Sequence, residues 1–386
     1  MEQGSNSERE ELIMKVGERR YEWAELKANV LLADSSEPLS PEPLSPNEHQ
    51  AFEFAKKWLN NQGHFTIRTS GSTGKPKPIE ITRSQMVESA LATGKALGLQ
   101  QGQRALICLP LQYIAGRMML VRSFVLRLQM QIVEPASDPF ALLTNKDFPF
   151  DFTAVVPLQM QALLNGPASY KERLNAMAAI LVGGGPVSTT LHSKIQELSA
   201  PVYQTFGMTE TVTHFALRRL NGPHASSAFI PLPGVYLGTD ERGCLNVRSS
   251  ITKNQTLQTN DQVILQGDGS FIWQGRWDNV INSGGVKVHP EVVEQAIEQV
   301  IHELGLPDSR FFVTGLPDER LGEQVTVIFE GSHLGADVEL AIRSALSAGL
   351  SSYEIPRAFL SQSKFSETPT GKIDRPKTLE RIQVYK

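Results

Sequence analysis

Residues 69–77 form a run of glycine, hydroxyl and lysine side chains, TSGSTGKPK, directly after an apolar stretch. Glycines let the backbone approach an anion closely, and successive N–H groups together with hydroxyls can surround phosphate oxygens. The segment is not a Walker A loop, because a proline follows Lys75 where that loop has Ser or Thr. We therefore predict a phosphate-binding loop of another type; the alternative is a flexible Ser/Gly linker. The residues predicted to bind phosphate are Thr69, Ser70, Gly71, Ser72, Thr73, Gly74 and Lys77.

Two further segments follow predicted strands and could contact a nucleotide. The first contains Gly183, Gly184, Gly185 and Pro186, and the second contains Phe206, Gly207, Thr209 and Glu210. Ligands of open α/β sheets collect at the carboxyl ends of strands, where bare glycine backbone can support a flat base. In the second segment, the threonine hydroxyl can donate to phosphate and the carboxylate can hold Mg²⁺, which prefers oxygen ligands. The alternatives are a tight strand-to-helix turn and a buried turn with a capping glutamate.

The last third of the chain adds one acid–base pair and two lysines. Asp261 can accept both hydroxyls of a ribose, and Arg276 can add a sugar or phosphate contact. A surface salt bridge is the alternative for this pair. Lys287 and Lys372 each lie in a short segment containing glycine. A lysine on such a loop can present a point charge to developing negative charge, although read alone each is only an exposed lysine.

The elements that must position these residues alternate between short apolar runs and helical patterns. This alternation predicts parallel sheets with helices on their faces. The predicted strands are Phe65–Thr69, Ala105–Leu109, Met130–Val133, Ala154–Val156, Ala179–Val182 and Val202–Thr205. The predicted helices are Glu48–Asn60, Ser84–Leu97, Met118–Leu128 and Thr189–Leu198.

The pattern changes after Pro231, where short runs separated by turn signals predict antiparallel strands and a small β-barrel-like region. The predicted fold class is therefore α/β. A large N-terminal domain, residues 1–277, contains parallel-rich sheets flanked by helices and the barrel-like region. A small, mobile α+β C-terminal domain occupies residues 278–386. The proline-rich tract at residues 38–46 predicts an extended linker before the first helix.

Composition excludes several classes of protein. The chain has 386 residues, of which 40% are hydrophobic and 20% charged, as in ordinary globular proteins. A net charge of -4 argues against nucleic-acid binding. Cys108 and Cys244 fit no metal-binding spacing, which favours reduced thiols in a cytoplasmic protein. The polar, acidic N-terminus is not a signal peptide, and Arg122 and Arg127 interrupt the longest apolar stretch, so we expect no membrane insertion.

Taken in order, these segments resemble the motifs of the adenylate-forming superfamily, which includes acyl-CoA synthetases, peptide-synthetase adenylation domains and luciferases. The resemblance extends from about Thr66 to Arg375. It implies an enzyme that uses ATP and Mg²⁺ to convert a carboxylic acid into an acyl-adenylate and then transfers the acyl group to coenzyme A. The implied partners are therefore small molecules. The sequence does not determine the oligomeric state, and a homodimer is one alternative.

The resemblance also implies roles for the matching positions. Ser70–Lys77 contact the phosphates, Gly183–Pro186 form the turn beside adenine, and Thr209 and Glu210 supply the phosphate and Mg²⁺ contacts. Asp261 and Arg276 bind the ribose side, and Asp278 is the hinge. Lys372 assists adenylation. The loop that approaches the thioester-forming site contains Ser283, Gly284, Gly285 and Lys287.

Within the superfamily, the chain is most similar to the o-succinylbenzoate–CoA ligases of menaquinone biosynthesis. The similarity rests on the short chain and on the segments LPLQYIAG at residues 109–116 and INSGGVKVHP at residues 281–290. Tyr113 replaces a histidine that is frequent in the family, so that wall of the acyl pocket is expected to differ from the family's. The proposed substrate carries a second carboxylate, for which the acyl-side candidates are Arg117, His214 and Arg218, with a surface or structural role as the alternative for each.

Three other functions stay open at this point. The chain could be a ligase for another aryl or fatty acid, or a stand-alone adenylation enzyme that loads a carrier protein. From a different class, it could be an inactive regulatory protein that binds a nucleotide. The joint presence of Thr209, Glu210, Asp261 and Lys372 argues against inactivity.

Overall fold

The computed structural model describes residues 13–16, 19–22, 45–68, 78–307, 309–368 and 373–383. The predicted phosphate loop at residues 69–77, Lys372 and most of the proline-rich tract lie outside the described residues.

Most strands of the first part of the chain form one nine-stranded sheet. The described strands of this part are β1 (Ile13–Val16), β2 (Arg19–Glu22), β3 (His64–Arg68), β4 (Pro78–Thr82), β5 (Arg104–Ile107), β6 (Gln129–Ile132), β7 (Phe152–Val155), β8 (Ala179–Val182), β9 (Val202–Gly207), β10 (His214–Arg219) and β11 (Ile230–Pro231). Of these, β3 and β4 lie outside the nine-stranded sheet. The sheet has the order β11-β10-β9-β8-β7-β5-β6-β1-β2. Its six inner strands, β9 to β1, run parallel, and the outer strands pair antiparallel, so the predicted parallel sheet is confirmed.

Helices cover both faces of this sheet. They are α1 (Pro46–Leu59), α2 (Arg83–Leu97), α3 (Ile114–Leu126), α4 (Pro157–Asn165), α5 (Ala168–Asn175) and α6 (Thr189–Ile195). Because side chains alternate along a strand, Leu181 packs with α2 and α3 on one face, while Ile180 and Val182 pack with α4, α5 and α6 on the other. The central strands are buried on both faces and therefore consist of continuous apolar runs.

Local signals fix the start of the first two helices. Ser45 caps α1 and forms a reciprocal pair of hydrogen bonds with Glu48, and Thr82 does the same with Gln85 at α2. Strands β3 and β4 pair as a separate antiparallel hairpin that brackets residues 69–77. The predicted phosphate loop is therefore attached to a two-stranded hairpin followed directly by a capped helix.

Helix α3 begins at Ile114, earlier than the predicted start at Met118. The prediction placed the start at the longest apolar run and missed the turn that precedes it. That turn folds back tightly, since a Cβ on Gly116 would overlap the carbonyl groups of Leu109 and Pro110. Sequence periodicity does not report such a close backbone approach.

Residues 236–276 form a four-stranded antiparallel sheet. Its strands are β12 (Tyr236–Thr239), β13 (Cys244–Arg248), β14 (Leu257–Leu265) and β15 (Phe271–Arg276), in that order. The antiparallel pairing is as predicted, but across this fully described range the sheet stays open and does not close into a barrel. Its inner face packs against an aromatic cluster, and the edge of β15 continues only into an isolated bridge between Phe271 and Phe229.

The remaining elements have a hydrophobic core of their own. They are β16 (Ile281–Ser283), β17 (Val286–Val288), α7 (Pro290–Glu303), β18 (Phe311–Asp318), β19 (Gly322–Glu330), α8 (Ala336–Leu346), β20 (Ala358–Gln362) and α9 (Arg375–Gln383). The strands form one five-stranded sheet in which β20 pairs parallel with β19. A 3₁₀ turn at Trp277–Asn279 joins this part to β15. None of the described helices has the length and apolar character needed to cross a membrane.

Candidate active site

The carboxyl ends of β7, β8 and β9 lie side by side, because these parallel strands pair in register. The predicted adenine-side turn follows β8. A Cβ on Gly183 would overlap Oγ1 of Thr205, and Gly184 has a φ of 84° that favours glycine. The end of β9, with Phe206 and Gly207, therefore lies directly beside this turn. The missing side chain at Gly183 thus lets β8 and β9 pack closely where the predicted adenine-side turn begins.

An aromatic chain connects the end of β9 to the antiparallel sheet. The ring of Phe206 lies 5.0 Å from that of Phe229, 5.2 Å from that of Phe271 and 6.5 Å from that of Trp273. The indole of Trp273 in turn donates to Oδ1 of Asp261 at 3.1 Å. Two segments far apart in sequence, one predicted to serve the phosphates and Mg²⁺ and the other the ribose, thus meet through packed rings.

Asp261 and Arg276 face each other across neighbouring strands β14 and β15. Burial raises the pKa of Asp261, and the charge of Arg276, with Nη1 3.8 Å from Oδ2, partly offsets this effect. Arg276 also pairs with Asp278 at 2.7 Å, and Asn260 donates to the other oxygen of Asp278 at 2.9 Å. The structure therefore joins the predicted ribose ligand, its predicted companion and the predicted hinge in one network.

Thr209 and Glu210 lie in a 3₁₀ turn that is anchored by Thr211. The buried Thr211 hydroxyl bonds to Met208 and to the carbonyl of Thr213. Val212 follows with a φ of 65°, and Thr213 N donates to the carbonyl of Thr211 at 2.7 Å, which defines a γ-turn. A β-branched residue rarely adopts this conformation, and such strain is concentrated at functional sites.

The carboxylate of Glu210 is exposed at this turn. In the described part of the chain, no group of three or more His, Cys, Asp or Glu side chains could hold a metal ion by itself. A single carboxylate still fits Mg²⁺ that arrives with a nucleotide, because this ion is usually held by one or two carboxylates plus substrate phosphates. Glu210 is the residue that would hold it.

Arg122 is a buried cation that the sequence analysis did not propose as a site residue. Its guanidinium lies within 3.3 Å of Thr213 Oγ1, 3.5 Å of His214 Nδ1 and 3.8 Å of Met119 Sδ. Thr93 of α2 contacts the other ring nitrogen of His214 at 3.0 Å. The hydrogen bonds and ion pairs of the described residues include no carboxylate at Arg122, and its Nε has no partner among them. The sequence signal for this residue is an arginine inside the apolar stretch of α3. In the sequence analysis this arginine argues only against membrane insertion.

The other candidates for the second substrate carboxylate do not join His214. Arg117 donates to the carbonyls of Leu111 at 2.8 Å and Thr66 at 3.3 Å, while Tyr113 precedes α3 and is half-buried. Arg218 donates to Gln204 and lies over the ring of Phe229. Leu217 packs on the α3 face and Leu220 on the α6 face, so Arg218, which alternates with Leu217 along β10, lies on the opposite face of the sheet from α3.

The predicted thioester loop is the hairpin turn between β16 and β17. Gly284 and Gly285 have φ values of 60° and 82°, the combination that a tight hairpin turn requires. Gly284 donates to the carbonyl of Leu321 at 2.8 Å, and Lys287 Nζ lies 4.2 Å from the ring centre of Trp277. The loop therefore contacts its own sheet and the turn that contains the predicted hinge residue, Asp278.

Comparison with known proteins agrees with this arrangement. Residues 15–242, more than half of the chain, match the sequence profile of the family described as AMP-binding enzyme. The chain therefore belongs to the AMP-binding enzyme family, and the mixed α/β fold implied by the resemblance is confirmed.

Several relatives are similar over most of the chain. The crystal structure of an acyl-CoA synthetase (AMP-forming)/AMP-acid ligase II-like protein from Dyadobacter fermentans is 42% identical, with a TM-score of 0.60, covering 89% of this chain and 96% of that one. A 2-succinylbenzoate–CoA ligase from Listeria monocytogenes is 26% identical over 93% of this chain and 79% of its own length. The o-succinylbenzoate CoA synthetase from Bacillus subtilis, in complex with its acyl-adenylate intermediate, has the same fold at 18% identity, with a TM-score of 0.74 and 95% of each chain covered.

Proposed function

We propose that this chain is an ATP-dependent acid–CoA ligase. It joins a carboxylic acid to AMP with release of pyrophosphate, and then transfers the acyl group to coenzyme A. The observation that carries this proposal is the convergence of Gly183, Phe206, Asp261 and Arg276 at one end of the large sheet, next to the turn with Glu210. These are the contacts that the base, ribose and phosphates of one nucleotide require.

The proposed first step brings two anions together. A carboxylate is a poor electrophile, because its leaving group would be oxide. Attack of its oxygen on the α-phosphate of ATP forms a mixed anhydride and expels pyrophosphate. We assign stabilisation of the developing charge to the backbone N–H groups of residues 70–74 and to Lys372. Thr209 would donate to phosphate, and Glu210 would hold Mg²⁺, which neutralises phosphate charge when bound.

The proposed second step requires a different arrangement of the C-terminal part. We propose that residues 1–277 form an AMP-binding domain and that residues 278–386 form a lid that turns about Asp278. The turn would withdraw Lys372 and bring the loop of Ser283, Gly284, Gly285 and Lys287 to the acyl-adenylate, where the CoA thiol expels AMP. A hinge needs only a few residues that change φ and ψ. Asp278→Pro should preserve adenylation and suppress thioester formation; equal loss of both steps would contradict the hinge assignment.

The proposed acid is o-succinylbenzoate, of menaquinone biosynthesis. One of its carboxylates reacts and the other must be held inside the protein. Arg122 supports this substrate, because a buried guanidinium whose contacts are two neutral oxygen or sulfur atoms and an imidazole lacks a counter-charge. An arginine can bind a carboxylate with two parallel hydrogen bonds. The names of the 2-succinylbenzoate–CoA ligases among the relatives support the same acid.

The direct test is detection of the CoA thioester by mass spectrometry after incubation with ATP, Mg²⁺, CoA and o-succinylbenzoate. We expect stoichiometric AMP, pyrophosphate and thioester. Thioester from other aryl or fatty acids but not from this one would contradict the substrate. Acyl-adenylate without thioester would favour loading of a carrier protein. The absence of AMP with every acid of a broad panel would leave only an inactive nucleotide-binding protein.

We also infer a cytoplasmic location, since Cys108 and Cys244 are both buried, free thiols and ATP and CoA are the proposed co-substrates. A homodimer stays an expectation from the sequence, which the elution volume in size-exclusion chromatography with light scattering would decide.

A further inference from the structure

One contact joins the first turn of α7 to the edge of the nucleotide-side network. The carboxylate of Glu291 lies on the bare Cα of Gly275, so that a Cβ at Gly275 would overlap Oε2 of Glu291 and lie 3.4 Å from Nδ1 of His289. Oε1 of the same carboxylate accepts a hydrogen bond from Asn279 at 2.6 Å. Gly275 and Asn279 flank Arg276 and Asp278, so Glu291 packs against both ends of the proposed hinge.

The electrostatics places Glu291 in the same cluster as the proposed ribose residues. Burial opposes a charged Arg276, but its hydrogen bond to Asp278 and the charges of Asp261, Asp278 and Glu291 together raise its pKa. Glu291 Oε2 and His289 Nδ1 are buried and have no hydrogen-bond partner among the described residues. Leaving buried polar atoms unpaired costs free energy, so the contact of Glu291 with Gly275 is one that the proposed turn of the lid can release at little cost.

The orientation that this contact holds can be related to one half of the reaction. Helix α7 packs against both β15 and α6, while the hairpin loop with Gly284 and Lys287 contacts Leu321 and Trp277. A thioester-forming orientation requires that loop at the acyl-adenylate. Because Lys287 of that loop lies over Trp277, we assign the contact on Gly275 to the orientation of the first half-reaction. If the lid turns about Asp278, Glu291 and Asn279 move together, and the packing of the Glu291 carboxylate against Gly275 is lost.

We propose that Glu291 is a positioning residue for adenylate formation. Its carboxylate packs against Gly275 and accepts a hydrogen bond from Asn279, and it thereby holds α7 and the C-terminal part in the orientation of the first half-reaction. This inference rests on the proposed acid–CoA ligase activity and its hinge. Glu291 acts through the position of the lid and not by touching the substrates. Gly275 is required at this place because any side chain there would displace the carboxylate.

The test separates the two half-reactions in the full-length protein. Glu291→Ala should slow ATP–pyrophosphate exchange about tenfold, the effect of losing one hydrogen bond to a charged group. Thioester formation from chemically supplied acyl-adenylate should stay within about twofold, because that step follows release of the contact. Glu291→Gln keeps both the shape and the acceptor for Asn279, so we expect exchange within about threefold of the unsubstituted protein. Glu303→Ala, at the opposite end of the same helix, is the matched control and should change neither rate.

A second measurement does not depend on catalysis. Trypsin should cleave the ligand-free Glu291→Ala protein after Arg276 about tenfold faster than the unsubstituted protein, because release of α7 exposes the turn. Glu303→Ala should not show this change. Unchanged cleavage and unchanged exchange in Glu291→Ala would overturn the inference, as would equal slowing of both half-reactions. The absence of ATP–pyrophosphate exchange in the unsubstituted protein would instead overturn the proposed function. The comparison of trypsin cleavage rates would still decide whether Glu291 holds the lid.

Discussion

Nη2 of Arg122 lies 3.5 Å from Nδ1 of His214, and both side chains are almost completely buried. Burial and the neighbouring arginine lower the pKa of His214 well below its usual value, and burial lowers the pKa of Arg122 to about 9. At neutral pH the pair is therefore a cation beside a neutral imidazole, directly behind the strained turn at Val212. A bound carboxylate would supply the counter-charge that this site lacks.

The first prediction concerns recognition of the acid. Arg122→Met should lower kcat/KM for o-succinylbenzoate about 100-fold, because truncating one partner of a buried charged pair typically costs several kcal/mol. An acid without the second carboxylate should change by less than about threefold, because it does not use this contact. Steady-state kinetics with the two acids measures the difference.

Arg218→Met is the matched control for this substitution, because it removes a largely buried arginine on the opposite face of the sheet. It should leave the ratio of the two acids unchanged. An equal loss for both acids in Arg122→Met would show that Arg122 supports the fold and does not hold a substrate carboxylate.

The second prediction concerns stability in acid. Because the pKa of His214 is lowered in the folded protein, the unfolded chain binds more protons below its usual value of 6.5. The stabilisation is complete above pH 6.5 and is lost as the pH falls below it, by about 1.4 kcal/mol for each pH unit. Urea unfolding of His214→Gln between pH 5 and 8 should show a smaller decline in acid than the unsubstituted protein. An identical decline in both proteins would contradict a neutral, buried His214.

Glu294 should give the opposite pH dependence. Burial raises its pKa from 4.5 to about 7, although Arg375 and the N–H of Val313, at 3.0 Å and 2.7 Å, partly offset the effect. Below pH 4.5 the stabilisation from the bound proton is complete, and it is lost as the pH rises towards 7, by up to about 3 kcal/mol in total.

Glu294→Gln should therefore lose this part of the pH dependence, so that its free energy of unfolding declines more steeply in acid than that of the unsubstituted protein. The same urea series measures it. His214→Gln and Glu294→Gln should diverge in opposite directions between pH 5 and 6.5, and parallel curves for the two variants would contradict at least one of the assigned shifts.

The fourth prediction concerns the adenine-side turn. Gly183→Ala places a Cβ against Oγ1 of Thr205, which should destabilise the protein by about 1–3 kcal/mol and raise the KM for ATP. Thr205→Ala removes that oxygen and leaves only the Thr205 Cβ, 3.4 Å from the new methyl group. The double variant should recover most of both losses. Additive losses in the double-mutant cycle would show that the two positions do not interact.

Several parts of the fold followed from local pattern. The parallel strands β5 to β9 were predicted because short, mostly apolar runs alternate with helical patterns, and α2 was predicted from such a helical pattern. The start of α3 was misplaced, because a close backbone approach at Gly116 leaves no periodic signal. The antiparallel region was identified from its turns, but closure into a barrel depends on pairing of its first and last strands, which turn signals do not specify.

The sequence by itself determined the family, the order of the motifs and the chemistry that their residue types can perform, since phosphate binding, metal binding and acid–base pairing are properties of side chains and short loops. Only the tertiary structure decided which side chains meet. It placed Arg122 against His214, put Arg218 on the other face of the sheet, and packed Glu291 against Gly275. These placements depend on how separate segments pack, and burial lowers the pKa values of Arg122 and His214, so no local pattern contains them.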